Sequence, residues 1–431
     1  MNARTLKENI LSGALDVRFA KLYGSDEAVL TFQRARYSAL LDEFATRYGE
    51  EREVALFSAP GRSELSGNHT DHNHGCVIAG SIDLDIIAVA AKNEDSTIRI
   101  KSEGFPEDVV DVDSFNVPNE ARFGKSDALI AGVADGMRVR GYAVGGYDAC
   151  TTSSVLKGSG LSSSAAFENM VGLIISHFYN SGDVDFVTLA QISQYSENKF
   201  FGKPCGLMDQ VACAAGGIVS VDFADTSAPV VEKVDFDLTA EGYCLCIVNT
   251  GGNHADLTPD YAAVPAEMKA VAAELGATVL RETSREELMK NIAALREKVG
   301  DRAILRALHF FAENDRVAEQ KSALKSGDLA KYFSGVLASG RSSYCYLQNV
   351  YTTANVAEQG ISLALNLCES YLSKLSKPTA WRVHGGGFAG TVQAYVPMED
   401  AEGFVKLLEG VFGEGSCYLL KIRLSGAVRV F

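Results

Sequence analysis

The chain has 431 residues, 47% of them hydrophobic, with 55 acidic against 40 basic side chains and a formal charge of −15. That length allows two or three domains, and that apolar share excludes global disorder. The acid excess argues against a general nucleic-acid binder, yet leaves room for a small phosphorylated ligand held by a local donor cluster. Nine scattered cysteines, none in a CxxC pair, fit neither a zinc ribbon nor a disulfide scaffold. Residues 1–25 hold no continuous apolar segment of signal-peptide type, and no apolar run is long enough for a membrane span. A soluble, cytoplasmic protein in a reducing compartment is expected.

Residues 1–50 read as helix, with Leu30, Phe32, Tyr37, Leu40, Leu41 and Phe44 at mixed helical spacing. VALFSAP (54–60) reads as a buried strand stopped by its proline. IIAVAAK (86–92) and TIRIKS (97–102) read as a strand pair, and YDACTTSSV (147–155) as a further strand. A helix is expected from Ser163 to about Tyr179, because Ala166, Met170, Leu173, Ile174 and Phe178 keep one face. A second covers roughly 185–201. GIVSVDF (217–223) and YCLCIVN (243–249) read as strands, the latter placing Cys244 and Cys246 on one face. Residues 262–375 are mostly helical in pattern, followed by strand (391–397), helix (399–412) and strand (417–424). Strands and helices interleave without a strict βαβ repeat, which predicts an α+β fold rather than a doubly wound parallel sheet. Two domains are expected, residues 1–225 and 226–431.

Four short stretches carry chemistry. PGRSELSGNHTDHNHG (60–75) crowds His69, Asp71, His72 and His74 between glycines. It reads as a metal site, a solvated loop or a pocket wall, although H-x-x-H-x-H without cysteines is no standard structural zinc site. GSGLSSSAA (158–166) leads straight into a helix. Glycines let a backbone approach a ligand, serines satisfy first-turn amides, and the helix N-terminus favours an anion. The bland alternative is a Gly/Ser turn with an ordinary N-cap. CGLMDQ (205–210) sets Asp209 among apolar residues, where a lone carboxylate either caps a backbone or does chemistry. Glu197, upstream at a helix end, reads on its own as a surface residue. HGGGFAG (384–390) is either a tight turn or a close backbone approach before a strand.

Together and in this order, the four stretches resemble those of galactokinases in the GHMP small-molecule kinase superfamily. The resemblance runs from about residue 20 to the C-terminus, and HTDHN carries its most specific part. It implies the two-domain GHMP fold, with the active site in the cleft between N- and C-terminal domains. It implies transfer of the γ-phosphoryl group of ATP to the C1 hydroxyl of galactose, with ATP and Mg2+ required. Asp209 would then take or orient the C1 hydroxyl proton, and Arg62 would stabilise the transferring group and keep Asp209 ionised. Gly158, Ser159, Gly160, Leu161, Ser162, Ser163, Ser164 and Ala165 would line ATP, with Gly386 and Gly387 beneath them and Phe123 as the adenine-stacking aromatic. Ser164 and Glu197 would contact the magnesium ion. Asn68, His69, Asp71, Gly206 and Tyr261 would surround the sugar. Its partners would be sugar and ATP alone, with no nucleic acid and no membrane, and the chain a monomer.

The departures from the family pattern fall at the sugar end. The usual R-V-N-L-I-G reads RSELSG here, and Asn68 stands where the signature has glutamate near the sugar's C6 hydroxyl. The stretch RSSYCYLQNVY (341–351) keeps the family's R-x-D-Y-E-V-S only loosely. These differences open a second possibility, the same reaction on galacturonate or an N-acetylated galactose. A third is a catalytically silent sugar and ATP sensor, against which the undamaged GSGLSSSAA and Asp209 count.

Overall fold

The computed structural model describes every residue except 115–116, 156–159, 204 and 253–256. The chain begins with helices α1 (Ala3–Leu11), α2 (Asp16–Tyr23) and α3 (Glu27–Tyr48). It then forms β1 (Ala55–Ser66), β2 (Cys76–Lys92), β3 (Thr97–Ser102), β4 (Glu107–Asp111), α4 (Ser126–Val139) and β5 (Tyr147–Ser153). Helices α5 (Ser163–Tyr179), α6 (Phe186–Ser196) and α7 (Met208–Ala215) lead to β6 (Ile218–Asp222), β7 (Val230–Val234) and β8 (Tyr243–Asn249). The helical stretch comprises α8 (Thr258–Glu274), α9 (Arg285–Lys290), α10 (Ile292–Val299), α11 (Asp301–Ser326), α12 (Leu329–Ser342) and α13 (Gly360–Leu372). The chain closes with β9 (Ala380–Val383), β10 (Thr391–Pro397), α14 (Ala401–Phe412), β11 (Cys417–Leu420) and β12 (Val428–Arg429).

Two sheets organise these elements. The larger runs β12-β1-β2-β5-β3-β4, with β6 on the remaining length of β2 and β7 beside β6. The smaller runs β11-β8-β10-β9. The continuous apolar run of β2 is explained by burial on both faces. Ile86, Ala88 and Ala90 enter the core shared with α4–α7, while Ile87, Val89 and Ala91 face α1–α3. Likewise Cys244, Cys246 and Val248 of β8 face α13 and α14, and Leu245 and Ile247 face the main core. The mixture of helix and mostly antiparallel strand is the expected α+β class.

Three local expectations are corrected. First, β1 does not stop at Pro60: it continues to Ser66, because a register shift between Pro60 and Arg62 absorbs the residue that cannot donate. Second, residues 86–92 and 97–102 are strands but not partners. The segment 147–153 lies between them, antiparallel to β2 and parallel to β3. Third, the helix expected over 185–201 ends its α-helical part at Ser196, and Glu197–Phe201 form a π-helical turn. The exposure of Phe32 (60%) also sets it apart from its buried neighbours on α3.

The site-bearing half of β1, Arg62–Ser66, is covered by the second sheet and by α11. Ser63 Oγ meets His384 Nε2 at 3.0 Å and accepts from Gln393 Nε2 at 2.8 Å. Ser66 donates to Gln320 of α11, and Arg382 of β9 donates to Glu64. Where this half of β1 meets the second sheet and α11, the contact therefore includes a row of buried polar pairs beside the shared apolar core.

Candidate active site

Arg62 and Asp209 form the centre. Asp209 lies in the first turn of α7, where the helix dipole favours a negative charge. Arg62 Nε and Nη2 donate to its two carboxylate oxygens at 2.8 and 2.6 Å, a two-pronged pair. The third nitrogen, Nη1, donates to the Gly160 carbonyl, and the Arg62 backbone N–H donates to the Leu161 carbonyl at 3.1 Å. One arginine thus ties the carboxylate to the glycine–serine loop. Ser162 Oγ donates to the same carboxylate. Burial alone would raise the Asp209 carboxyl, but the charge of Arg62, the bonds from Ser162 and Arg62, and Lys203 hold it below its usual value. Its side chain keeps 31% exposure, so an incoming hydroxyl can reach it.

The loop differs in one respect from the expected serine cap. Ser162, at φ 56°, sits in the left-handed region just before α5, and its side chain makes no cap hydrogen bond. Its hydroxyl goes to Asp209 instead, so it caps none of the first-turn amides of α5. Leu161 and Ala165 are fully buried, and Leu161 takes part through its backbone carbonyl. Gly158 and Ser159 lie outside the described residues.

Ser164 Oγ donates to Glu197 Oε1 at 3.4 Å. The π-helical turn positions Glu197, which is buried and accepts from Lys203 Nζ at 3.2 Å and Gln210 Nε2 at 2.8 Å. The described residues hold no group of three or more His, Cys, Asp or Glu able to bind a metal. A hydroxyl and one carboxylate nevertheless suit Mg2+, which takes one or two protein oxygens and completes its shell with phosphate and water. Phe123 packs its ring on Gly202, directly after this turn, and stays 42% exposed.

The expected sugar residues gather around the C-terminal glycine loop. Asp71 and Gly206 approach so closely that a Cβ at 206 would lie 2.6 Å from Asp71 Oδ2. His69 Nε2 meets the Gly386 carbonyl at 2.9 Å. The carbonyl can only accept, so Nε2 carries the proton and Nδ1 keeps a lone pair. Burial pushes the His69 imidazole down to about 4, which keeps it neutral. Tyr261 OH donates to the Gly387 carbonyl at 2.9 Å. Gly387 is itself required: its φ is 80°, and any Cβ would collide with the Asn349 carbonyl. Asn68 is fully buried behind these groups. His72, by contrast, points to solvent.

Sequence reasoning missed several members. Glu168 follows Ser164 by one helical turn and is fully buried beside Glu197, where burial and that like charge push its carboxyl well up. The i, i+4 spacing from Ser164 was a usable signal. Lys203, which holds Glu197, carried none; Gln210 and Glu64 fall inside the stretches CGLMDQ and RSELSG, but nothing there names their partners Glu197 and Arg382.

Comparison with known proteins gives the family and the fold. A model of the galactokinase galactose-binding signature matches residues 42–92, and one of the GHMP kinases N terminal domain matches residues 128–217. The galactokinase of Streptomyces coelicolor is 31% identical over 377 residues, 86% of this chain and 92% of that one. That of Lactococcus lactis subsp. lactis is 29% identical over 388 residues, 88% and 92%. The crystal structure of Lactococcus lactis galactokinase complexed with galactose superposes with a TM-score of 0.75 at 26% identity, covering 90% of this chain and 98% of that one. Methanococcus jannaschii mevalonate kinase, at 13% identity and TM-score 0.61 over 86% of this chain and 98% of its own, shares the fold.

Proposed function

Since the chain belongs to the galactokinase family of GHMP kinases, we propose that it transfers the γ-phosphoryl group of ATP to the C1 hydroxyl of galactose. The observation that carries this reading is the two-pronged Arg62–Asp209 pair, tied to the glycine–serine loop at Gly160 and Leu161.

Asp209, ionised at neutral pH, accepts a hydrogen bond from the C1 hydroxyl and points its oxygen at the phosphorus. As the new O–P bond forms and the bond to ADP breaks, the hydroxyl proton passes to Asp209. A carboxylate held below its usual pKa is a weak base, so its first contribution is orientation, with proton transfer late. That order suits a loose phosphoryl transition state, in which little negative charge builds on the attacking oxygen. Arg62 keeps the carboxylate in one geometry and places positive charge beside the loop. The loop, Gly158 to Ala165, holds the phosphates with backbone amides, and Phe123 holds the adenine. Ser164 and Glu197 would hold Mg2+, which when bound offsets phosphate charge. His69, Asp71, Gly206 and Tyr261 surround the sugar.

The same reading makes the chain a cytoplasmic monomer whose partners are sugar and ATP. Among the described residues no helix is long and apolar enough to cross a membrane. A division at 225/226 remains part of the proposal: it falls between β6 and β7, which pair, and β12 returns across it to β1.

A second reading keeps the reaction and changes the sugar to one bearing a C6 carboxylate. The observation favouring it is that Glu64, the carboxylate beside Asn68, is bound by Arg382, which offsets its negative charge. ADP release measured over galactose, galacturonate and N-acetylgalactosamine separates the two. Galactose giving the highest kcat/KM is expected. Galacturonate exceeding it would install the second reading, and no turnover of any sugar would defeat both.

A further inference from the structure

We propose that Asn68 is a positioning residue that does not touch the sugar, and that Glu64 and Arg382 hold it in that role. The proposal rests on the sugar-kinase reading above.

The side-chain amide of Asn68 has two donor hydrogens and two acceptor lone pairs. All four are used inside the protein. Nδ2 donates to Glu64 Oε1 at 3.2 Å and to the Gly385 carbonyl at 2.8 Å. Oδ1 accepts from Ser343 Oγ at 3.2 Å and from Asn349 Nδ2 at 2.9 Å. The amide cannot be turned round, because Glu64 and the Gly385 carbonyl present only acceptors to Nδ2. Its backbone carbonyl is also taken, by His309 Nε2 at 2.9 Å, and the residue is 0% exposed. No side-chain valence and no surface remains for a ligand hydroxyl.

What Asn68 holds does face the sugar. The carbonyls of Gly385, Gly386 and Gly387 are bound in succession by Asn68, His69 and Tyr261. Fixing the first carbonyl therefore sets the other two, and with them the ring of His69 and the hydroxyl of Tyr261.

The sequence sets this arrangement apart from the family pattern described above. Where the usual pattern has an asparagine two places after its arginine and a glutamate just before its histidine, this chain has Glu64 and Asn68. The same two side-chain types are present, exchanged. The exchange pairs the carboxylate with Arg382, which is itself fully buried and lies 3.9 Å from Glu313. It leaves an amide to tie β1 to the glycine loop.

The test is a grid of variants against sugars: wild type, Asn68→Ala, Asn68→Asp and Asn68→Asp with Glu64→Gln, each assayed on galactose and on its 2-, 3-, 4- and 6-deoxy derivatives. The expected result is a rise of about tenfold in the KM for sugar with Asn68→Ala, with the KM for ATP unchanged. Each missing hydroxyl keeps its wild-type penalty, because Asn68 reads none of them. Asn68→Asp faces Glu64 and the Gly385 carbonyl with an acceptor, and so loses sugar affinity at neutral pH. Adding Glu64→Gln gives the new carboxylate a donor and restores part of that affinity. A deoxy sugar whose penalty disappears in Asn68→Ala would overturn the proposal, as would a fall in kcat with both KM values unmoved. If wild type turned over no sugar, the kinase reading would fall instead, and the same comparison of penalties taken from calorimetric sugar binding would still decide the role of Asn68.

Discussion

At the scale of single residues, Asp209 is held as a carboxylate although largely buried. Desolvation pushes its carboxyl up, and Arg62, Ser162 and Lys203 pull it below its ordinary value of 3.8. The sign of the pH dependence follows. The active form is deprotonated, so in the wild type the loss of kcat/KM on acidification through Asp209 lies below that ordinary value. In Arg62→Met the largest lowering influence is gone and burial is less opposed. The acid limb should then move to higher pH, read from kcat/KM profiles of the two proteins. An acid limb at the same pH in both would mean that Arg62 does not set the state of Asp209. The dyad was legible in the sequence because each member sits inside a short motif, P-G-R and G-x-M-D-Q. The saturation of Asn68 was not, because its partners Ser343, Asn349 and Gly385 are 275, 281 and 317 residues away.

At the scale of elements, the limits of α5 followed from periodicity, whereas the helix expected over 185–201 turns π-helical after Ser196. The α-helix at Ser163–Tyr179 begins and ends where its apolar spacing does. Strand pairing was less legible, since hydrophobic pattern marks a strand without naming its neighbour. IIAVAAK is apolar on both faces, and nothing in it says that 147–153 rather than 97–102 lies alongside. The proline of β1 misled for a local reason: a bulge removes the need for its missing donor. Elements also set the sugar end, where the turn after β1 brings Asp71 against Gly206 in the lead-in to α7. Gly206→Ala would place a methyl 2.6 Å from Asp71 Oδ2 and push that carboxylate aside. The KM for sugar should rise about tenfold while the KM for ATP stays constant, measured by varying each substrate at saturation of the other. An unchanged sugar KM would place Asp71 outside the sugar site.

At the scale of the whole molecule, two sheets meet across a seam that includes a row of buried polar pairs, and the proposed reaction centre lies along it. β1 of the larger sheet supplies Arg62, the glycine loop of the smaller one lies behind His69 and Tyr261, and α5 and α7 bring the phosphate loop and Asp209. The fold class and the order of motifs were readable from the sequence, whereas the seam was not, since nothing in RSELSG says that His384, Gln393, Arg382 and Gln320 meet Ser63, Glu64 and Ser66. In the proposed reaction this assembly moves a phosphoryl group from ATP to the C1 oxygen with Asp209 as the acceptor of its proton. Phosphorus NMR of a reaction holding galactose, ATP and Mg2+ tests it most directly. Galactose 1-phosphate should accumulate with the wild-type chain, and Asp209→Asn should slow its appearance about a hundred- to ten-thousandfold. A phosphate signal at another sugar oxygen, or an Asp209→Asn variant as fast as the wild type, would contradict it.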